Sequence, residues 1–178
     1  MLNIFFDFFA YYFFSPSLYA KYIKVKFGKN CRIVTKNWGS EPYLIELGNH
    51  VHITKGVSFV THDGAVWVFR ENIPTFDVFG KIVVKDNTYI GNNAVILPGV
   101  TIGSNCIVGA NSVVTKSIPD NSVVAGNPAK FILSTRDYLE KAINHNAQTK
   151  LLTKKQKKNY LLNPDFNLFI KKSTLKIE

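Results

Sequence analysis

A chain of 178 residues with 46% hydrophobic composition has material for one domain with its own core. Its two cysteines, Cys31 and Cys106, have no CxxC spacing, which argues against a disulfide framework or a metal site and fits a reducing cytoplasm. The net charge of +10 is uneven: from Lys141 onward nine lysines face only Asp165 and Glu178, and no nucleic-acid-binding motif accompanies them, so no nucleic-acid partner is expected.

In chain order, the first fourteen residues crowd Phe5, Phe6, Phe8, Phe9, Tyr11, Tyr12, Phe13 and Phe14 around Asp7. This run is too short to span a bilayer, which takes about 20 residues. It has no cationic head and no small-residue cleavage site, so it does not read as a signal peptide. The pattern predicts a helix ending near Ser15-Pro16 and a short one from Ser17 to Ile23. Their expected role is to cover the open end of a repetitive segment that begins near Phe27, with peripheral contact at a membrane surface as the second reading.

That segment is periodic. Hexads open with Val84, Ile90, Ile96, Ile102, Val108 and Val114, and their fifth slot is compact in five of six: Thr88, Ala94, Val100, Cys106 and Ser112. Turn formers fill the rest, as in Asp86-Asn87, Asn92-Asn93, Pro98-Gly99 and Ser104-Asn105. A six-residue period with one large and one small inward slot predicts a parallel β-helix, an all-β solenoid. Asn and Gly suit its corners because they accept left-handed backbone at low cost. The phase extends upstream through Leu47, Ile53 and Phe59 and starts near Phe27 and Ile33, with an insertion over residues 37–46. Val84 follows Phe59 at a spacing of 25 residues where six would suffice, so a loop leaves the coil there, and such loops carry binding surface. Both cysteines fall in the small slot and are expected to be buried. Beyond the repeat, Thr153 reads as the N-cap of a basic helix.

The hexads, Thr61-His62-Asp63 at the loop entrance and the closing Val124-Ala125-Gly126-Asn127-Pro128-Ala129-Lys130 resemble the hexapeptide-repeat acyltransferases. Within them the chain looks like the maltose, galactoside and surface-polysaccharide O-acetyltransferase branch. The likeness runs from about Phe27 to Lys130 and implies a left-handed coil, against the usual right-handed crossover. It also implies acetyl-CoA as cosubstrate, a sugar, glycan or glycan-precursor acceptor, and a homotrimer in the cytoplasm or at the inner membrane face. His62 occupies the position of the family's catalytic base, and histidine is the side chain whose unperturbed pKa suits that job. Asp63 is the expected orienting partner, with Asp77, Glu46 or a backbone carbonyl as rivals. Ala110, Thr115, Lys116 and Lys130 are the implied coenzyme A contacts.

In the loop, Trp67 can stack on a sugar face and Arg70 can meet an anionic group of the acceptor; packing against a neighbouring subunit is the other reading. His50 and His52 do not share with His62 the spacing of three converging metal ligands, so no metal is expected. Other acceptors (serine, a nucleotide amino sugar, an antibiotic hydroxyl) and a non-catalytic scaffold remain alternatives. The expected organisation is a cap over 1–26, a coil over 27–130 with an active-site loop at 62–83, and a basic helical tail over 131–178.

Overall fold

In the computed structural model, which describes residues 2–163 and 165–174, the repeat becomes three parallel sheets that the chain visits in rotation. Two helices come first, α1 (Leu2–Phe13) and α2 (Pro16–Tyr22). Ser15 caps α2 through its hydroxyl, and Pro16 supplies the fixed first helical dihedral. Strands β1 (Lys26–Phe27) and β2 (Arg32–Ile33) begin the first round. The second is β3 (Ile45–Leu47), β4 (His52–Ile53) and β5 (Ser58–Phe59). The third is β6 (Ile82–Val84), β7 (Tyr89–Ile90) and β8 (Val95–Ile96), and the fourth is β9 (Thr101–Ile102), β10 (Ile107–Val108) and β11 (Val113–Val114). One sheet runs β1-β3-β6-β9, the second contains β2-β4-β7-β10, and the third is β5-β8-β11. Glu178, counted in the tail's charge, and the side chains of residues 2–5 lie outside the described residues.

The hexad phase is the packing phase. All six opening residues from Val84 to Val114 are at most 1% exposed, and so are Ile53 and Phe59 one round below. Each stands over its counterpart in the next round, Ile53 under Ile90 and Ile90 under Val108, which makes continuous apolar ladders. The compact fifth slots are buried as well, and their polar members are satisfied: Thr88 Oγ1 donates to Gly103 O at 2.9 Å, and Ser112 Oγ accepts from Gly126 N at 3.1 Å. Cys106 follows the rule, and burial pushes its thiol above the ordinary range. Cys31, in the first round with less above it, is only half-buried, contrary to expectation. A soluble thiol reagent is therefore expected to modify Cys31 in the native protein and Cys106 only on unfolding, as mass spectrometry of labelled peptides can check.

Corners are left-handed where asparagine sits. Asn87, Asn93, Asn105, Asn111 and Asn121 all have φ between 54° and 61°, and His50 takes the same conformation in the round below. On one corner the side chains form a ladder: His50 Nδ1 is 2.7 Å from Asn87 Oδ1, Asn87 donates to Asn105, and Asn105 to Asn121. Asn105→Gly keeps the backbone state and loses exposed hydrogen bonds, so a thermal melt should register a cost within about 1 kcal/mol.

The last round is shorter. Val108 lies over Ile90 after eighteen residues, but Val124 lies over Val108 after sixteen. Strand β12 (Ser122–Ala125) ends the parallel order, and β13 (Lys130–Ser134) turns back antiparallel along it, a strand where a helical tail was expected. The chain then continues as α3 (Thr135–Ile143), with His145 just beyond it rather than in a helix, and α4 (Lys154–Leu161). Thr153 and Gln156 make a full capping box at the start of α4, as the sequence suggests. Residues 1–135 and 136–178 form two units.

At the other end, covering of the core is uneven between the two helices. Ala20 and Val25 belong to the buried cluster, with Tyr19 and Ile23 packed against it; α2 and the turn after it supply this cover. No described residue of α1 is in that cluster.

Candidate active site

Two excursions leave the coil at one corner, between the third sheet and the first. The longer departs after Thr61 and returns at Gly80. Its neck is a short antiparallel pairing: Asp63 N donates to Val78 O at 2.8 Å, Gly80 N to Thr61 O at 2.9 Å, and His62 bridges Phe79. Gly80 must be glycine, because a Cβ there would stand 2.2 Å from Gly99 N in the next round. The shorter excursion lies one round below. Asn37 bridges Ser58, which sets Trp38 flat against Phe59 with centroids 5.0 Å apart, and the chain then loops through Gly39 and Glu41 to Pro42–Leu44.

Counting from Trp38 over Phe59 brings Glu41 beside His62. The imidazole Nδ1 is 3.3 Å from Glu41 Oε2, and the same oxygen accepts a 2.6 Å bond from the Thr61 hydroxyl. Thr61 Oγ1 in turn accepts from Glu41 N at 3.3 Å, so the two residues hold each other. Glu41 is the more enclosed partner, its side chain 16% exposed against 37% for His62. A carboxylate only accepts, so this contact puts the proton on Nδ1 and leaves the Nε2 lone pair available. Gly64 lies beside Nε2: a Cβ there would stand 3.8 Å from that nitrogen, in ordinary van der Waals contact.

The expected orienting partners, Asp63 first among them, are engaged elsewhere in the structure. Its carboxylate accepts from Ala65 N and caps the 3-10 turn Gly64–Phe69. Asp77 pairs with Arg70. Glu46 binds Lys81 at 2.7 Å and Lys26 at 3.0 Å, and these cations hold its carboxyl below the ordinary range. Sequence reasoning missed Glu41 because it lies 21 residues away, although the register count could have found it.

A depression of about 370 Å³ opens at His62, walled by Val60, Asp63, Phe79, Leu97 and Pro98 among others. Trp67 and Arg70 do not line it; they border a separate hollow with Val68 and Glu71. Trp67 is 72% exposed, and Arg70 is spent on the Phe76 carbonyl and Asp77. Register divides the four remaining candidates. Phe59, Ile96 and Val114 are stacked, which sets Thr115 and Lys116 on the corner of His62, two rounds along. Ala110 follows Val108 on the next corner, and Lys130 pairs with Ala125 beside it. Ala110, Thr115, Lys116 and Lys130 are all exposed. Among the described residues no group of three or more His, Cys, Asp or Glu side chains is placed to hold a metal.

Comparison with known proteins agrees with the repeat. The bacterial transferase hexapeptide (six repeats) family matches residues 81–116. Protein CapG of Staphylococcus aureus is 52% identical over 142 residues, covering 78% of this chain and 83% of that one. Galactoside O-acetyltransferase of Escherichia coli K12 is 38% identical over 54% of this chain, which spans only 47% of that enzyme. Among solved structures, a hexapeptide-repeat-containing acetyltransferase of Vibrio cholerae superposes with a TM-score of 0.59 at 22% identity, over 72% of this chain and 85% of that one. A galactoside acetyltransferase in complex with coenzyme A gives 0.50 at 27%, over 70% and 73%. With its ladders, its loop histidine and relatives at these identities, the chain belongs to the hexapeptide-repeat acetyltransferase family.

Proposed function

We propose that this protein transfers acetyl from acetyl-CoA to a hydroxyl of a sugar, glycan or glycan precursor, with His62 as general base. The observation that carries the reading is the Glu41–His62 pair at the neck of the loop, beside an open depression. In the step, Nε2 takes the acceptor hydroxyl proton as the oxygen attacks the thioester carbonyl. The tetrahedral intermediate then collapses, the C–S bond breaks, and the imidazolium returns the proton to the departing thiolate. Such base assistance contributes about 10²–10⁴-fold. The acceptor class is supported by the similarity to a galactoside O-acetyltransferase and the donor by the similarity to one in complex with coenzyme A.

The rotation through three sheets is read as a left-handed β-helix, which the family membership supports. A homotrimer completes the site. Thr115 and Lys116 share the corner of His62 at about 10 Å along the axis, given the usual strand spacing. Ala110 and Lys130 stand on another corner, and a neighbouring coil seated against the first would bring the two sets into one cleft. Lysines in that cleft can neutralise phosphates of the nucleotide. The buried and half-buried free thiols fit a cytoplasmic location.

Thiol release from acetyl-CoA, followed with a panel of sugars, nucleotide sugars, serine and chloramphenicol, tests the reading. Release with a saccharide is expected; release only with serine or chloramphenicol moves the acceptor class, and none with any acceptor favours the scaffold alternative. Glu41→Gln keeps an acceptor for Thr61 but loses the charge facing Nδ1. Its kcat is expected to fall about tenfold with KM for acetyl-CoA unchanged.

A further inference from the structure

Helix α1 packs one side against α2 and leaves an aromatic side outside. Asp7, itself exposed, accepts from the Tyr22 hydroxyl of α2, Ala10 is fully buried, and Phe14 packs edge-on against Tyr22. These positions recur at three and four residues and share one face. The opposite face carries Phe8, Phe9, Tyr12 and Phe13, with Phe8, Tyr12 and Phe13 each 60% exposed or more. Phe8 rests on Tyr12 and Phe9 on Phe13, each pair with centroids 4.6 Å apart, so the outer face of the helix is built from two packed aromatic pairs. An apolar surface of this kind on a soluble protein marks an interaction site. It is not surplus cover for the coil, since α2 supplies that.

The helix is also held firmly. Lys36 Nζ donates to the Tyr11 carbonyl at the end of α1, and its charge lies 5.4 Å from the Tyr11 ring and 5.7 Å from that of Tyr19. A cation at that end suits the helix dipole. The surrounding charge is one-sided. Between Asp7 and Glu41 the sequence has no acidic residue and six cations; Lys21, Lys24, Lys26, Lys29 and Arg32 are exposed, and of these Lys26 pairs with Glu46. A second copy docked face to face would set this cationic segment against itself. An anionic surface complements it.

We propose that α1 is a surface anchor, which lays Phe8, Phe9, Tyr12 and Phe13 into the headgroup–acyl boundary of a bilayer containing anionic lipid. Twelve helical residues rise about 18 Å, short of a hydrocarbon core of about 30 Å, so the helix lies in the interface and does not cross it. Aromatic side chains favour that depth, and the exposed lysines and Arg32 add attraction to acidic headgroups. The acetyl acceptor would then be met at a lipid surface, a consequence that rests on the reaction proposed for His62; the anchor itself does not.

Co-sedimentation of the full chain with vesicles of phosphatidylcholine alone, or mixed with phosphatidylglycerol, tests the anchor without any turnover. The protein should partition at least about tenfold more onto the mixed vesicles in low salt, and less as salt rises. Phe8→Ser combined with Phe13→Ser should lose at least about tenfold of that partition with the melting temperature unchanged, because both rings are exposed. Lys21→Gln combined with Lys24→Gln should weaken it with the aromatic face intact. Absence of binding to mixed vesicles, or equal binding by the Phe8→Ser/Phe13→Ser variant, overturns the proposal. So does a drop in sedimenting mass in that variant without loss of vesicle binding, which would make a second copy the occupant.

Discussion

Replacing His62 with Ala or Asn is expected to lower kcat by about 10²-fold or more while leaving the fold and coenzyme A binding in place. The side chain is 37% exposed, and its polar contact is with Glu41, so its loss opens no core cavity. Glu41 keeps its bond from Thr61, and the backbone pairing of the neck is untouched. The effect should therefore be confined to the chemical step, with kcat and kcat/KM falling together. Steady-state kinetics beside isothermal titration of coenzyme A separates the two. A variant that keeps most of its kcat removes His62 from the role of base, and Asp63, already committed to the 3-10 turn, is poorly placed to inherit it.

Ile102→Asp should abolish soluble folding, and Val108→Asp should do the same. Ile102 is fully buried, stacked on Val84 below and bridged to Ile118 above, so an aspartate would meet only apolar neighbours in its ladder. An unpaired carboxylate there costs several kcal/mol on top of the lost aliphatic contact, against a total stability of about 5–15 kcal/mol for an ordinary domain. Because each round rests on the next, the damage does not stay local. Expression in the soluble fraction and a thermal melt give the answer. An Ile102→Asp protein as stable as its parent would falsify the inward phase of the hexads, and with it the register that sets Glu41 beside His62.

The ladders were legible because burial repeats: a residue that must point inward every sixth position leaves a mark no single substitution hides. Val84 to Val114 could be placed inside from spacing alone, and Asn105 at a corner from its tolerance of left-handed backbone. His62 was legible only through the tripeptide at the loop entrance, which a repeat count does not supply. Its partner was not legible by proximity in sequence. Asp63 is adjacent, but neighbours along an extended chain diverge, and the 3-10 turn claims its carboxylate. Glu41 is distant along the chain and near in space because two insertions emerge at one corner in successive rounds. Arg70 shows another limit: the sequence offers it as a cation for a ligand, and only the structure shows it paired with Asp77 of the same loop. Strand β13 escaped because a single reversed strand has no periodicity to betray it.

The neck of the long loop has a consequence for how such proteins diversify. Its closure depends on main-chain donors and acceptors at Thr61, Asp63, Val78 and Gly80, and on the absence of a side chain at Gly80. Main-chain pairing is indifferent to the identity of residues 64–77, so that stretch can be exchanged as a cartridge while the socket keeps its shape. The ladders beneath are sealed from the exchange, since their members face inward. Under the reaction proposed for His62, acceptor preference would then drift on a scaffold that hardly changes, and a relative's loop grafted between Asp63 and Val78 should alter selectivity with the melting temperature preserved.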